Sequence, residues 1–155
     1  MPILFDGSLL ADYHQFYLAD AAGNVDLPTN WNDDALNTRL LSGPGVLIVA
    51  TERNMTVPVR VILHERRPQI DIDAADHVVE GHLHTSGEIV IAGLNDYLPQ
   101  APRRRVPAGE LGVMIIFTGL DTLSEDGLDG EDRYDVHLWP GSVEGITVLR
   151  QWQGA

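Results

Sequence analysis

The chain contains neither cysteine nor lysine. The first absence removes any disulfide framework, thiolate metal site or cysteine nucleophile. The second leaves arginine as the only strong base: ten arginines face 23 acidic residues, for a formal charge of −13 on 155 residues. That sign argues against direct nucleic-acid binding, because phosphate contacts need basic patches. No apolar run approaches the roughly 20 residues of a membrane span, so no membrane insertion is expected. The opening Met1-Pro2-Ile3-Leu4-Phe5-Asp6-Gly7 has no basic stretch ahead of its short apolar patch and does not read as a signal peptide, which points to the cytoplasm. Gly-x-Ser-x-Gly elbows, phosphate-cradling glycine loops and His-Glu-x-x-His helices are all missing, and with them the easiest hydrolase, nucleotide and metalloprotease readings. No cofactor is implied and no catalysis is expected.

What is present is enough apolar side chain, 44% of residues, for one sizeable core in a single domain spanning 1–155. Glycine and proline punctuate short apolar runs at even spacing, the pattern of a sandwich or barrel. Strands are expected at about 11–19, 45–52, 55–64, 76–84, 88–94, 111–118, 133–139 and 145–152. The fold class is therefore all-β: an antiparallel β-sandwich of about eight strands with one short α-helix. Val57, Val59, Val61 and Leu63 alternate with Pro58, Arg60, Ile62 and His64 and give one apolar face at period two. Val113-Met114-Ile115-Ile116-Phe117 is apolar throughout and suits a central strand covered on both faces. Arg53-Asn54 and Ser86-Gly87 read as hairpin turns. The helix is expected over 32–41, with Asn30 or Asn32 as its cap and Gly43-Pro44-Gly45 as its stop. Residues 94–110 form a long connection. Its Arg103-Arg104-Arg105 cluster either counterbalances acids, joins a self-association surface that would make a homo-oligomer, or binds an oxyanion.

The densest chemistry lies between Ser124 and Asp135, where six carboxylates accompany one arginine. Carboxylates so crowded repel one another and cannot be buried unpaired, so the segment is expected to be a surface loop. Asp126, Asp129, Glu131 and Asp132 would form one acidic patch there. Asp33 and Asp34 at the helix start would form another beside Trp31, unless they serve only the helix dipole. An acidic loop is either a solvated face or a docking face for a cationic partner. It does not follow the calcium-loop spacing.

Three stretches carry a family resemblance. Tyr13-His14-Gln15-Phe16 opens a strand. Trp31-Asn32-Asp33-Asp34-Ala35-Leu36 starts the helix and is followed by an apolar strand running into Glu52-Arg53-Asn54. Val106-Pro107-Ala108-Gly109-Glu110 leads into the buried strand, with Asp132-Arg133-Tyr134-Asp135-Val136 later. In order and spacing, over roughly residues 11 to 140, these resemble the competence protein J family, inhibitors of the bacterial DNA-entry nuclease. The resemblance implies a β-sandwich-like fold and a partner that is a DNA-entry-type nuclease. The charge agrees: an acidic inhibitor gains steering by placing carboxylates where phosphates would lie. The chain departs from the family pattern in its arm at 94–106 and its larger 119–133 loop.

A different class of function rests on His82-Leu83-His84 and Glu88, whose spacing looks like part of the cupin metal motif. Two histidines and a carboxylate can bind zinc, manganese or iron. The histidine of the second cupin motif falls at Gly112, and the glycine expected before His82 is Asp76. The alternative is a polar strand face, with Glu80, His82 and His84 turned to solvent. A third reading is an accessory or assembly module. His14 is expected half-buried on a strand face, and His137 on the surface with Asp135 and Trp139. His64 and His77 have only sequence neighbours to recommend them. Of Trp31, Trp139 and Trp152, at least two are expected in the core.

Overall fold

The computed structural model describes residues 2–22 and 25–154. Period-two apolar patterning and interrupting glycines, prolines and acids divide these residues into eleven strands and one α-helix: β1 (Ile3–Leu10), β2 (Gln15–Asp20), α1 (Asp33–Thr38), β3 (Leu40–Gly43), β4 (Val46–Ala50), β5 (Thr56–Leu63), β6 (His77–Thr85), β7 (Glu88–Gly93), β8 (Arg103–Arg105), β9 (Gly109–Thr118), β10 (Arg133–Pro140) and β11 (Thr147–Arg150). They form a six-stranded sheet in the order β1-β5-β10-β9-β6-β11 and a five-stranded sheet in the order β3-β4-β2-β7-β8. All pairings are antiparallel except β5 with β10, which run parallel from Val59↔Tyr134 to Leu63↔Leu138.

The alternation in β5 does what its period demands. Val57, Val59 and Val61 point between the sheets and meet Leu18, Leu47, Ile91 and Ile115 in the main core. Each such valine, fully buried, contributes roughly 1.5–3 kcal/mol. β9 sits centrally between β10 and β6. Its second face carries Met114 and Ile116, which pack with Val78, Trp139 and the 70–72 segment. The outer face of the smaller sheet is covered likewise: Tyr17, Ile48 and Val90 lie under Ala35 of α1 and under Trp31. Both outer faces are thus partly roofed, which is why the runs 46–49 and 113–117 are apolar at every position.

Three strands differ from the sequence expectation. β1 is read from sequence as a short patch because Asp6-Gly7-Ser8 interrupts its apolar pattern, yet it pairs along β5. β3 begins inside the expected helix, at Leu40 and Leu41. The helix stops at Thr38 because Arg39 turns left-handed (φ 66°), its N–H bonding the Ala35 carbonyl, and Leu40-Leu41 leave as strand. β8 carries three arginines and no apolar pattern, and is held by backbone pairing to β7. Both expected hairpin turns are corrected as well. Thr51–Met55 joins β4 to β5, and Ser86-Gly87 joins β6 to β7, so each carries the chain from one sheet to the other. At the second crossing Gly87 takes φ 121°, and the Ser86 N–H and hydroxyl both bond Asp20 Oδ1.

Candidate functional site

The strand registers gather α1, the 51–55 crossing and the 119–132 loop at one end of the sandwich. β4 ends there at Ala50, opposite the first residue of β2, while β10 begins there at Arg133, opposite the last residue of β9. Asn32 caps α1 in the expected way, its Oδ1 accepting the Ala35 N–H at 2.9 Å. Asp33 and Asp34 follow in the first turn and are exposed. Trp31 is half-buried against the outer core cluster, and with Tyr13, His14, Leu36 and Arg39 it lines a small depression.

Tyr13 and His14 correct a second expectation. Both adopt left-handed backbone (φ 57° and 60°), so β2 starts only at Gln15 and His14 is exposed. Such conformations are uncommon in residues other than glycine. The turn is secured by backbone bonds, Thr51 N–H to the His14 carbonyl, and by His14 N–H to Asn54 Oδ1. Tyr13 is left 66% exposed.

The acidic segment splits into a buried base and a free tip. Asp132 is completely buried, against the expectation that it belongs to the surface patch. Its Oδ2 accepts the Tyr134 hydroxyl at 2.5 Å, and the same hydroxyl accepts the Glu52 N–H. Its Oδ1 lies 2.9 Å from Arg53 Nε, close enough for an ion pair. The N–H is not aimed at that oxygen, so neither atom gains a hydrogen bond among the described residues. The physical reason for the burial is the partner: a carboxylate can leave water when a buried guanidinium and a phenol meet it. Burial raises the Tyr134 phenol, and the Asp132 carboxylate raises it further, so the hydroxyl stays a donor. Asp135 is also spoken for, held by Arg60 and Arg133 on β10.

The tip is braced from within. Gly119 (φ 70°) packs so closely on the backbone of Glu131 and Asp132 that any Cβ would collide. Thr122 Oγ1 donates to the Gly119 carbonyl and accepts the Glu131 N–H. Ser124 and Asp129 exchange bonds across the loop, and Asp126 Oδ1 accepts the Ser124 hydroxyl and the Leu128 N–H. Those two hydrogen bonds hold the Asp126 carboxyl below its ordinary range. Asp126, Asp129 and Glu131 are exposed, and none joins an ion pair among the described residues. Of the four carboxylates of the expected patch, these three are exposed, at the same end as Asp33 and Asp34.

This two-sheet topology agrees with a solved inhibitor. Over 90% of this chain and 98% of the other, it superposes at a TM-score of 0.70 on ComJ, inhibitor of the DNA degrading activity of NucA, from Bacillus subtilis, with 14% sequence identity. The fold is ComJ-like. A second solved structure, described as crocagin biosynthetic gene J, matches 91% of this chain and 98% of its own at TM-score 0.58 and 16% identity. No family model and no curated protein matches the sequence. Beside ComJ, the chain shares a scaffold and not a readable site, since identity this low carries no residue roles across.

The cupin-like reading does not assemble. His82 and His84 lie on β6 of the larger sheet, whereas Glu88 starts β7 of the smaller one. His84 Nδ1 is 2.8 Å from Glu110, and Glu88 stands opposite Arg105. Among the described residues no group of three or more histidines and carboxylates is placed to hold a metal ion. Gly112 cannot stand in for the missing histidine position either, because a Cβ there would run into the indole of Trp139. Trp139 is buried, and Trp31 and Trp152 are half-buried. His137 is buried too, correcting its surface assignment: its ring meets His64, with 2.8 Å between nitrogens. His77 is wholly buried, its Nε2–H bonding the Thr38 carbonyl and its Nδ1 accepting the Trp152 N–H. Burial lowers its pKa, and this pattern fixes it as a neutral structural tie between β6, α1 and the C-terminal segment.

No helix of the described residues is long and apolar enough to cross a membrane.

Proposed function

We propose that this protein is a non-catalytic inhibitor of a DNA-entry-type nuclease, acting in the cytoplasm and docking through the end that carries α1 and the acidic loop. The reading rests on one observation above others. Unpaired carboxylates at Asp126, Asp129 and Glu131, on an internally braced loop, share an end with Asp33 and Asp34 on a scaffold of the ComJ kind. A nuclease that grips DNA offers a cationic groove, and fixed carboxylates are complementary to it in the way phosphates are. Bracing matters because a pre-ordered loop loses less conformational entropy on docking. Trp31 and the exposed Tyr13 supply aromatic surface beside the acids, the residue type that dominates interface energetics.

The test is inhibition of a NucA-type nuclease by wild type and by the triple variant Asp126→Asn, Asp129→Asn, Glu131→Gln. Association should slow by about tenfold at low salt, with the difference shrinking as ionic strength rises. Unchanged inhibition by the triple variant would remove the loop from the interface.

A further inference from the structure

At the opposite end of the sandwich the parallel strands β5 and β10 run out side by side, and the His64 N–H bonds the Leu138 carbonyl just beyond their paired region. This brings His64 and His137 together although 73 residues separate them in sequence. Their rings meet nitrogen to nitrogen, with centroids 5.0 Å apart and His64 Nε2 2.8 Å from His137 Nδ1. Both side chains are more than nine-tenths buried, at 9% and 8% exposed. They form part of the wall of a groove of about 1280 Å³, whose other lining includes Ile62, Ile70, Pro107 and Arg66.

A neutral imidazole carries one N–H and one lone pair. When two neutral rings share a hydrogen bond, whichever ring donates, the pair is left with one N–H and one lone pair on its outer nitrogens. Those outer atoms, His64 Nδ1 and His137 Nε2, have no hydrogen-bond partner among the described residues and are not sealed from the groove. The groove also holds a cation without a counter-ion: Arg66 enters none of the ion pairs among the described residues, whereas its neighbour Arg67 is tied to Glu80 at 2.7 Å. Glu65 is the only carboxylate among the described lining residues. In a chain of net charge −13 this is a local excess of donors over acceptors.

We propose that the groove binds a small oxyanion, a carboxylate or a phosphate, held by Arg66 and by the one outer N–H that the His64–His137 pair leaves free. A metal ion is disfavoured by the same geometry, since the two facing nitrogens already satisfy each other and two guanidiniums stand nearby. Burial, and after it the neighbouring His64, hold the His137 pKa down at about 4; burial lowers His64 as well. The pair is therefore uncharged near neutrality. Whichever ring donates across the pair, one outer N–H is left, so an oxyanion beside Arg66 meets a histidine donor without any ring taking up a proton. Asp135 beside His137 is already engaged by Arg60; Glu65, Arg66 and Arg67 are the charged side chains among the described lining residues, and the positive amino terminus also lowers His64.

The experiment follows histidine ring resonances by NMR while the whole protein is titrated with inorganic phosphate, acetate and hexanoate. His64 and His137 are expected to shift and saturate in the millimolar range. Hexanoate binding at least about tenfold tighter than acetate would assign a carboxylic acid with an apolar body against Ile62 and Ile70. Phosphate binding tightest would assign a phosphate ligand. Arg66→Gln, at an exposed position, should weaken binding about tenfold. Arg103→Gln, an exposed arginine on β8, should leave it unchanged. The proposal is overturned if none of the three probes shifts His64 or His137 up to about 20 mM, or if both arginine variants weaken binding equally.

Discussion

Acidification offers a sharp test of the packing around His137. The ordinary imidazole pKa is 6.5, and burial followed by the charge of His64 brings it to about 4 in the folded chain. The sign follows from proton counting. Above about pH 6.5 neither folded nor unfolded His137 is protonated, and the full stability is present. As pH falls, the unfolded state binds a proton that the folded state excludes, so stability declines until pH reaches the folded value near 4. At about 1.4 kcal/mol per pH unit, lowering the imidazole from 6.5 to about 4 amounts to about 3 kcal/mol. Roughly 2 kcal/mol of this falls between pH 7 and pH 5. That is a large share of the roughly 5–15 kcal/mol typical of a domain. Urea unfolding at both pH values should show this loss in wild type and about 2 kcal/mol less of it in His137→Gln, whose amide can still bond His64. His64 and His77, also lowered by burial, contribute a remainder common to both proteins. Equal losses in wild type and variant would refute the assignment of His137 as a neutral buried partner.

The two halves of the acidic segment should respond very differently to neutralisation. Asp132→Asn leaves Arg53 buried beside an uncharged group and is expected to cost about 3–5 kcal/mol by urea titration. Asn at 126 or 129 should change stability by no more than about 0.5 kcal/mol. Gly112→Ala pushes a methyl group into the Trp139 indole and should cost about 1–3 kcal/mol, read as a lowered Tm together with a changed tryptophan fluorescence. Gly119→Ala strains a left-handed residue against Glu131. Its hydrogen-exchange protection at Thr122 and Glu131 should fall before that of the β9 strand does.

Patterning made some of this legible and distance hid the rest. The face of β5 could be read because a two-residue period is local, and so could the Asn32 cap, which acts three residues away. α1 was over-extended because leucines at 40 and 41 fit a helix or a strand equally. What decides is the left-handed turn at Arg39, stabilised by its ion pair with Glu52 thirteen residues on. β8 is invisible for a similar reason: backbone pairing to β7 makes it a strand, and its side chains carry no period. Asp132 looked like its neighbours because charge density is a property of a segment, whereas burial depends on Arg53 reaching it across the fold. His64 and His137 looked unrelated because a parallel pairing joins strands that no short turn connects.

The distribution of ion pairs bears on whether the acidic loop is only a solubilising surface. Six of the ten arginines, Arg39, Arg53, Arg60, Arg67, Arg133 and Arg150, are engaged with carboxylates, chiefly on strands or at strand ends. None reaches Asp126, Asp129 or Glu131, although Arg133 lies two residues from Glu131. It turns to Asp135 instead. A solvated loop needs no internal order, and carboxylates free to spread would reduce their mutual repulsion. Here the opposite holds: Ser124, Thr122 and Gly119 fix the loop, so the repulsion is retained in a set geometry. If solubility alone set this arrangement, glycine insertions that loosen the tip would leave every property of the protein unchanged. If the geometry serves docking, the same insertions keep charge and stability but raise the rate at which a nuclease complex falls apart, because ordering the loop then becomes part of binding.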